Sequence, residues 1–409
     1  MTLVCYRCGR EAAAGARCEC GEPLWTAVDA GDFSWPDSRQ RGMWRYADLL
    51  PAGPPPGVGS AAGGTPLFRA PRLDEYAGCA LWVKDEGRNP TGSFKDRGSA
   101  VGVARALEAG DDWVGTVSHG NMAMSTAATA AGAGLDCLVL VPDDIPQERP
   151  AHIARYDPEI VRVEGDYGRL YDESFELRGV RFVNSDTPDR VAGQKTTALE
   201  VCEAFADSRP SRRSSRADSE ETDGRDAPDA IVAPVSSGGH ASATWKGLRE
   251  LREADLLDTV PRFYLVQAAA CDPIARAYRS GAKEVTPVDG GETVAYSIAN
   301  ADPPSGNRAL AAVRETGGAA LSVSDDAILD AKRRFARRAG LSVEPASATT
   351  LAGIRRLSER GEIAPDDHVV AVATGTGFRE RSDASATPRE ARMEDLSRLV
   401  RSLVPGSSG

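Results

Sequence analysis

A lysine at position 95 lies within Lys84-Asp85-Glu86-Gly87-Arg88-Asn89-Pro90-Thr91-Gly92-Ser93-Phe94-Lys95-Asp96-Arg97-Gly98. The turn residues Asn89-Pro90-Thr91-Gly92 lead into a helix that Ser93 can cap, with Asp96 completing a capping box three positions on. Lys95 then falls in the first turn, near the positive end of the helix dipole. That setting disfavours the ammonium form and helps supply a neutral amine able to form a Schiff base. Taken alone, it reads equally well as a solvated lysine flanked by acids.

A second segment runs from the apolar Ile231-Val232-Ala233-Pro234-Val235 through Ser236-Ser237-Gly238-Gly239-His240 into a helix from Ala241. Strand, small-residue loop and helix N-terminus make a cradle of backbone N–H groups for a phosphate. With no Walker lysine and no G-x-G-x-x-G spacing, it is neither a nucleotide P-loop nor a dinucleotide fingerprint. The plain alternative is a strand-to-helix turn. A third cluster opens the chain: Cys5-Tyr6-Arg7-Cys8-Gly9, then Cys18-Glu19-Cys20-Gly21. Two close pairs, each followed by glycine, form turns whose thiolates can converge on one tetrahedral metal ion, with zinc the first choice and iron the other. Residues 1–28 are too short for a core of their own, so metal binding would have to supply their folding energy. Cys79, Cys137, Cys202 and Cys271 are scattered and read as free, buried thiols.

The elements that must position these residues alternate. Trp113–Val117, Asp136–Val141, Ile160–Val163, Ala230–Val235, Phe263–Gln267 and His368–Ala373 read as strands. Met122–Ala133, Thr196–Ala206, Ala241–Ala254 and Asp325–Ala339 carry helical spacing between them. This is an α/β pattern of parallel sheets covered on both faces, with sites at the C-terminal ends of strands. Residues 29–63, rich in Pro, Gly and Trp, read as an arm or linker. Residues 207–228 have almost no apolar side chain and read as a disordered insertion. The tail 381–409 is polar apart from a helical stretch near Met393–Val404.

Asn89 to Gly98 resembles the cofactor-lysine motif of threonine synthases, in the fold-type-II pyridoxal-phosphate family. Further stretches resemble that family in the same order: Gly64-Thr65-Pro66-Leu67, Ser118-His119-Gly120-Asn121, and Val183-Asn184-Ser185 through Arg190 to Gly193-Gln194-Lys195-Thr196. The phosphate loop, Glu344-Pro345-Ala346-Ser347-Ala348 and Thr374-Gly375-Thr376-Gly377 complete the series. The likeness spans Gly64 to Phe378, and an N-terminal cysteine ribbon occurs in many microbial members. It implies two α/β subdomains with pyridoxal 5′-phosphate between them, in a catalytic domain over 64–380 whose part from about 98 to 185 moves.

The resemblance also implies roles. Lys95 would hold the cofactor and move protons at the substrate carbons. Asn121 would meet its phenolic oxygen, and Thr374 its ring nitrogen. Ser236, Ser237, Gly238, Gly239 and His240 would hold its phosphate. Ser118, His119 and Gly120 would receive the substrate carboxylate, and Asn184, Ser185 and Arg190 the substrate phosphate. The reaction implied is O-phosphohomoserine and water to threonine and phosphate, in a homodimer. His119, Met122 and Thr376 depart from the usual threonine, threonine and histidine. Other reactions on the same fold therefore stay open: cysteate synthesis from phosphoserine, a cysteine-synthase-like replacement, or threonine or serine dehydration. A non-catalytic regulatory paralogue is the reading of a different class.

A chain of 409 residues with 41% hydrophobic content has room for a sizeable core. The net charge of -11 disfavours nucleic-acid binding. Lysine occurs only at 84, 95, 195, 246, 283 and 332. Acid excess with scarce lysine resembles the proteins of salt-loving archaea; an ordinary acidic protein from a GC-rich genome is the alternative. Met1-Thr2-Leu3-Val4-Cys5 lacks the basic-then-apolar order of a secretory signal, and no apolar run approaches a bilayer's thickness, so a cytoplasmic home is expected.

Overall fold

The computed structural model describes residues 2–36, 42–118, 120–142, 148–165, 167–207, 225–380 and 388–403. His119, most of the 207–228 insertion and residues 381–387 and 404–409 of the tail lie outside them. Residues 1–377 form one compact unit, and 378–409 form another.

Among the described residues, the larger unit holds three sheets. Strands β1 (Leu3–Cys5), β2 (Glu11–Ala12) and β3 (Leu24–Thr26) pair antiparallel in the order β2-β1-β3. A six-stranded sheet is built from β4 (Leu67–Arg69), β5 (Ala80–Asp85), β10 (Ala230–Pro234), β11 (Arg262–Ala268), β12 (Ala320–Val323) and β13 (His368–Ala373), in the order β12-β11-β10-β13-β5-β4. Only β4 runs antiparallel to its neighbour. A four-stranded parallel sheet has the order β8-β7-β6-β9, from β6 (Trp113–Val117), β7 (Asp136–Pro142), β8 (Glu159–Val163) and β9 (Arg181–Phe182).

The six-stranded sheet is buried on both faces, and its side chains alternate between two cores as the pleat requires. Trp82, Ile231, Ala233, Phe263, Leu265, Val370 and Val372 face one core. Leu81, Val83, Val232, Tyr264, Val266, Val369 and Ala371 face the other. Register sets His368 beside Ala80, Ala373 beside Asp85, and Ala230 beside Val369. The loops that leave β5, β10 and β13 therefore emerge side by side. They lead to Lys95, Ser236 and Thr374.

The helices that matter for the site are α1 (Lys95–Ala109), α2 (Asn121–Ala133), α3 (Pro188–Gln194), α4 (Gly239–Glu253) and α5 (Pro345–Glu359). Helix α1 packs on α3 closely enough that a Cβ on Gly193 would sit 2.0 Å from the Arg97 carbonyl oxygen.

Two sequence expectations need correction. Residues 29–63 include a packed element, because their aromatic side chains are core: Trp44, Tyr46, Met43 and Leu49 are buried in a 3-10 turn over Met43–Leu49. The Trp44 indole donates to the Gly59 carbonyl (3.0 Å), and the Tyr46 hydroxyl donates to Glu203 (2.6 Å). The capping box at Ser93 does not form. Phe94 N–H donates to the Thr374 carbonyl (3.0 Å), and Asp96 turns back to accept from the N–H and hydroxyl of Thr91 (2.6 and 2.5 Å). The helical stretch Asp325–Ala339 has the expected limits, its last five residues winding as a wider π turn over Phe335–Ala339. The β-ribbon leans on the body through Trp25, whose ring packs edge-on to Trp245 at 5.1 Å and whose indole donates to Ser242.

In the unit 378–409, the helix Leu396–Leu403 exposes Leu396, Val400 and Leu403, with Met393 just before it. Among the described residues no helix is long and apolar enough to cross a membrane.

Candidate active site

Lys95 is the first residue of α1 and is half-buried. Burial lowers its amine to about 7; nearby Arg190 pushes the same way, and Glu344 opposes. Its Nζ lies 4.6 Å from the centroid of the Phe94 ring, which stacks on His240 at 4.2 Å. His240 is buried and held neutral, its ring lowered to about 3 chiefly by burial. Its Nε2 sits 3.4 Å from the Thr197 hydroxyl, while Nδ1 and the nearby Ser93 Oγ are buried without a hydrogen-bond partner.

The loop Ser236–Gly239 meets the start of α4. Gly238 has φ 86°, open to glycine at little strain, and a Cβ there would come within 2.4 Å of the Ser305 carbonyl oxygen. A Cβ on Gly239 would sit 2.1 Å from the Ser185 carbonyl oxygen. Two stretches far apart in sequence, 183–185 and 236–240, are thus in backbone contact.

Asn121 begins α2 and donates through Nδ2 to Glu344 (2.8 Å). Thr374, just past β13, donates to the same carboxylate (3.2 Å) and lies 2.9 Å from the Ser347 hydroxyl. Ser118 is buried and Gly120 half-buried between β6 and α2. Asn184 and Arg190 are fully buried and engaged within the protein. Asn184 accepts from Val117 N–H (2.9 Å) and donates to Ser174 (2.8 Å). Arg190 donates to the carbonyls of Val183 (3.0 and 2.8 Å) and Lys95 (3.3 Å) and to Thr126 Oγ1 (3.1 Å). Ser185 Oγ lies 3.1 Å from the Tyr171 hydroxyl.

Sequence reasoning missed what lies beneath α1. Arg97 donates to both carboxylate oxygens of Glu86 (2.7 Å each) and to both of Glu200 (2.8 and 2.7 Å). Lys84 donates to Glu200 and to the Thr65 carbonyl (2.6 Å each), and the Thr65 hydroxyl donates to Glu86 (2.7 Å). All four charged residues are buried, two of each sign. Arg97 and Glu86 stand inside the quoted motif, and charges so regular beside apolar strands were the available signal. Glu344 was seen only as a landmark.

At the other end of the chain, the sulfurs of Cys5, Cys8, Cys18 and Cys20 all lie within 4.8 Å of one another. Cys5–Cys20 and Cys8–Cys18 are each 3.6 Å apart. A tetrahedral metal with bonds of ~2.3 Å to sulfur sets neighbouring sulfurs ~3.8 Å apart, so four thiolates fit one ion here.

The family model for pyridoxal-phosphate-dependent enzymes matches residues 58–375. The chain belongs to that family. Within it, the chain stands with the threonine synthases. It is 34% identical to threonine synthase of Methanocaldococcus jannaschii, over 98% of this chain and all of that protein. It is 37% identical to threonine synthase of Methanosarcina acetivorans, over 81% of this chain and 79% of that protein. Among solved structures, a threonine deaminase superposes with a TM-score of 0.60 at 25% identity, covering 79% of this chain and 94% of the other.

The residues present fit the family's cofactor. Its aldehyde needs an amine that is neutral near pH 7, its phosphate a cradle of N–H groups, and its ring polar neighbours. Lys95, the loop at α4, and Asn121 with Thr374 offer these, around two buried polar atoms that have no partner.

Proposed function

We propose that this protein is a threonine synthase, converting O-phosphohomoserine and water to threonine and phosphate. The observation that carries the reading is Lys95: an amine lowered to about 7 at the point where the loops from β5, β10 and β13 meet. Bound pyridoxal phosphate supplies an electron sink for negative charge developing at the substrate carbons. Lys95 holds it, and Ser236, Ser237, Gly238, Gly239 and His240 take its phosphate, with Asn121 and Thr374 at its ring. Lys95 then removes and returns protons at Cα and Cβ, because an amine near neutrality serves as both base and acid. Ser118, His119 and Gly120 receive the substrate carboxylate. Asn184, Ser185 and Arg190 face its phosphate, which leaves from Cγ before water adds at Cβ. Closure of the four-stranded sheet region over the cleft excludes water while the carbanionic charge exists.

The same reading places zinc at Cys5, Cys8, Cys18 and Cys20 as a structural ion, and the chain as a cytoplasmic homodimer. A metal assay on wild type beside Cys18→Ser checks the first: one zinc per chain is expected, and its loss in the variant. The test of function is phosphate release from O-phosphohomoserine and, separately, from O-phosphoserine, with added cofactor and in high salt. Threonine-forming release from the first, lost by roughly 10³-fold or more in Lys95→Ala, supports the reading. Release from phosphoserine alone would overturn the substrate.

A further inference from the structure

Glu344 has no role in the proposal above, yet it touches both side chains assigned to the cofactor ring. It precedes α5, and its N–H donates to the Gly375 carbonyl (3.2 Å). Its carboxylate lies flat against Gly375, where a Cβ would come within 2.6 Å of Oε1. The glycine after Thr374 is therefore space for this carboxylate. One oxygen accepts from Asn121, which follows β6 of the four-stranded sheet. The other accepts from Thr374, which follows β13 of the six-stranded sheet.

A carboxylate only accepts, so both neighbours must turn donors toward it. That fixes the Asn121 amide with its NH₂ group at Glu344, leaving one N–H to offer elsewhere. It also holds Thr374 in a chain: Gly375 N–H donates to Ser347 Oγ (3.0 Å), the Ser347 and Thr374 hydroxyls lie 2.9 Å apart, and Thr374 O–H donates to Glu344.

Resting on the reading of this cleft as a pyridoxal-phosphate site, we propose that Glu344 is a positioning residue. It sets Asn121 as donor toward the cofactor ring, holds Thr374 beside it, and ties the two sheets across the cleft. Glu344 and Arg190 act in opposite senses on the Lys95 amine, and neutral His240 feels Lys95 together with Glu86 and Arg97. The negative charge of Glu344 favours a proton on the lysine nitrogen. A glutamine of the same shape brings an N–H that can face either neighbour, so polarity and charge are lost together.

The test is spectroscopic. Wild type, Glu344→Gln, Glu344→Asp, Asn121→Ala and the Gln/Ala double variant are each titrated with pyridoxal phosphate, and the absorbance of the lysine-bound cofactor is followed against pH. Thermal melts check folding. We expect Glu344→Gln to weaken cofactor affinity by about tenfold, the worth of one charge-assisted hydrogen bond. We also expect it to move the pH midpoint of the band downward. The double variant should lose less than the product of the two single fold-losses, because part of the effect of Glu344 runs through Asn121. Glu344→Asp keeps the charge but falls short by a methylene, so it should lose affinity and keep most of the midpoint; it decides the matter if the glutamine variant does not fold. Affinity and midpoint unchanged from wild type in both variants overturn the role. No lysine-dependent band in wild type, judged against Lys95→Ala, overturns the cofactor reading itself and the role with it.

Discussion

Two buried polar clusters lie on opposite sides of α1, and they are finished to different degrees. Below the helix, Lys84, Glu86, Arg97 and Glu200 pair every charge, and Thr65, Asn89 and Thr196 take up further hydrogen-bonding positions. Above it, the half-buried Lys95 has no ion-pair partner among the described residues, and Ser93 Oγ and His240 Nδ1 are buried without a hydrogen-bond partner. Burying polar groups is tolerable only when they are satisfied. The lower set therefore reads as scaffold. The upper set is shaped for a molecule that brings its own donors and acceptors.

The contrast can be broken most severely from below. Arg97→Met leaves Glu86 and Glu200 facing each other with Lys84 as their only buried cation. A loss of about 3–5 kcal/mol is expected in urea unfolding. Its pH dependence should change as well. Burial pushes both carboxyls up, but Arg97, helped by Lys84, more than reverses this and holds them below the ordinary range. A lowered carboxyl contributes stability above its unfolded value, which is lost as pH falls through the folded one. Wild type should therefore keep this contribution at neutral pH and lose it only below about pH 4, while Arg97→Met should show little of it.

A smaller effect sharpens the comparison from above. Lys95 reacts only as the neutral amine. With its value at about 7, recombination of apoprotein with pyridoxal phosphate should plateau above about pH 8 and fall about tenfold per unit below pH 6. Stopped-flow absorbance gives the midpoint; a value near 10 would place Lys95 with ordinary exposed lysines. Smallest of all, Ser93→Ala removes a hydroxyl that has no partner. It should change apoprotein stability by less than about 1 kcal/mol, while Thr65→Ala, on the paired side, should cost about 1–3 kcal/mol in the same urea series.

The parallel strands were legible in the sequence because apolar runs such as His368–Ala373 end cleanly at small residues; that strand came out with the same limits. Ala80–Asp85 escaped notice because Lys84 and Asp85 make it look half exposed. Lys84 is in fact buried against Glu200, 116 positions away, a partner no local pattern announces. In the cleft, Lys95 and the α4 loop could be found from spacing, since their chemistry depends on turns and helix starts. Glu344 could not, because its meaning depends on Asn121, which arrives from the other sheet. The aromatics of residues 42–50 were hidden for a compositional reason: glycine and proline around them suggested a linker, yet turns are what bring Trp44 and Tyr46 inward.

If Arg190 meets the substrate phosphate as proposed, its bonds set an arithmetic on recognition. A guanidinium owns five N–H groups, and the bonds to Val183, Thr126 and the Lys95 carbonyl engage four of them. An arriving phosphate can be met by the one remaining donor at no loss. A two-pronged grip requires letting go of a carbonyl, and the longest of the four bonds is the one to Lys95. Tight anion capture at this arginine would thus be felt at once as slack in the backbone of the lysine proposed to hold the cofactor.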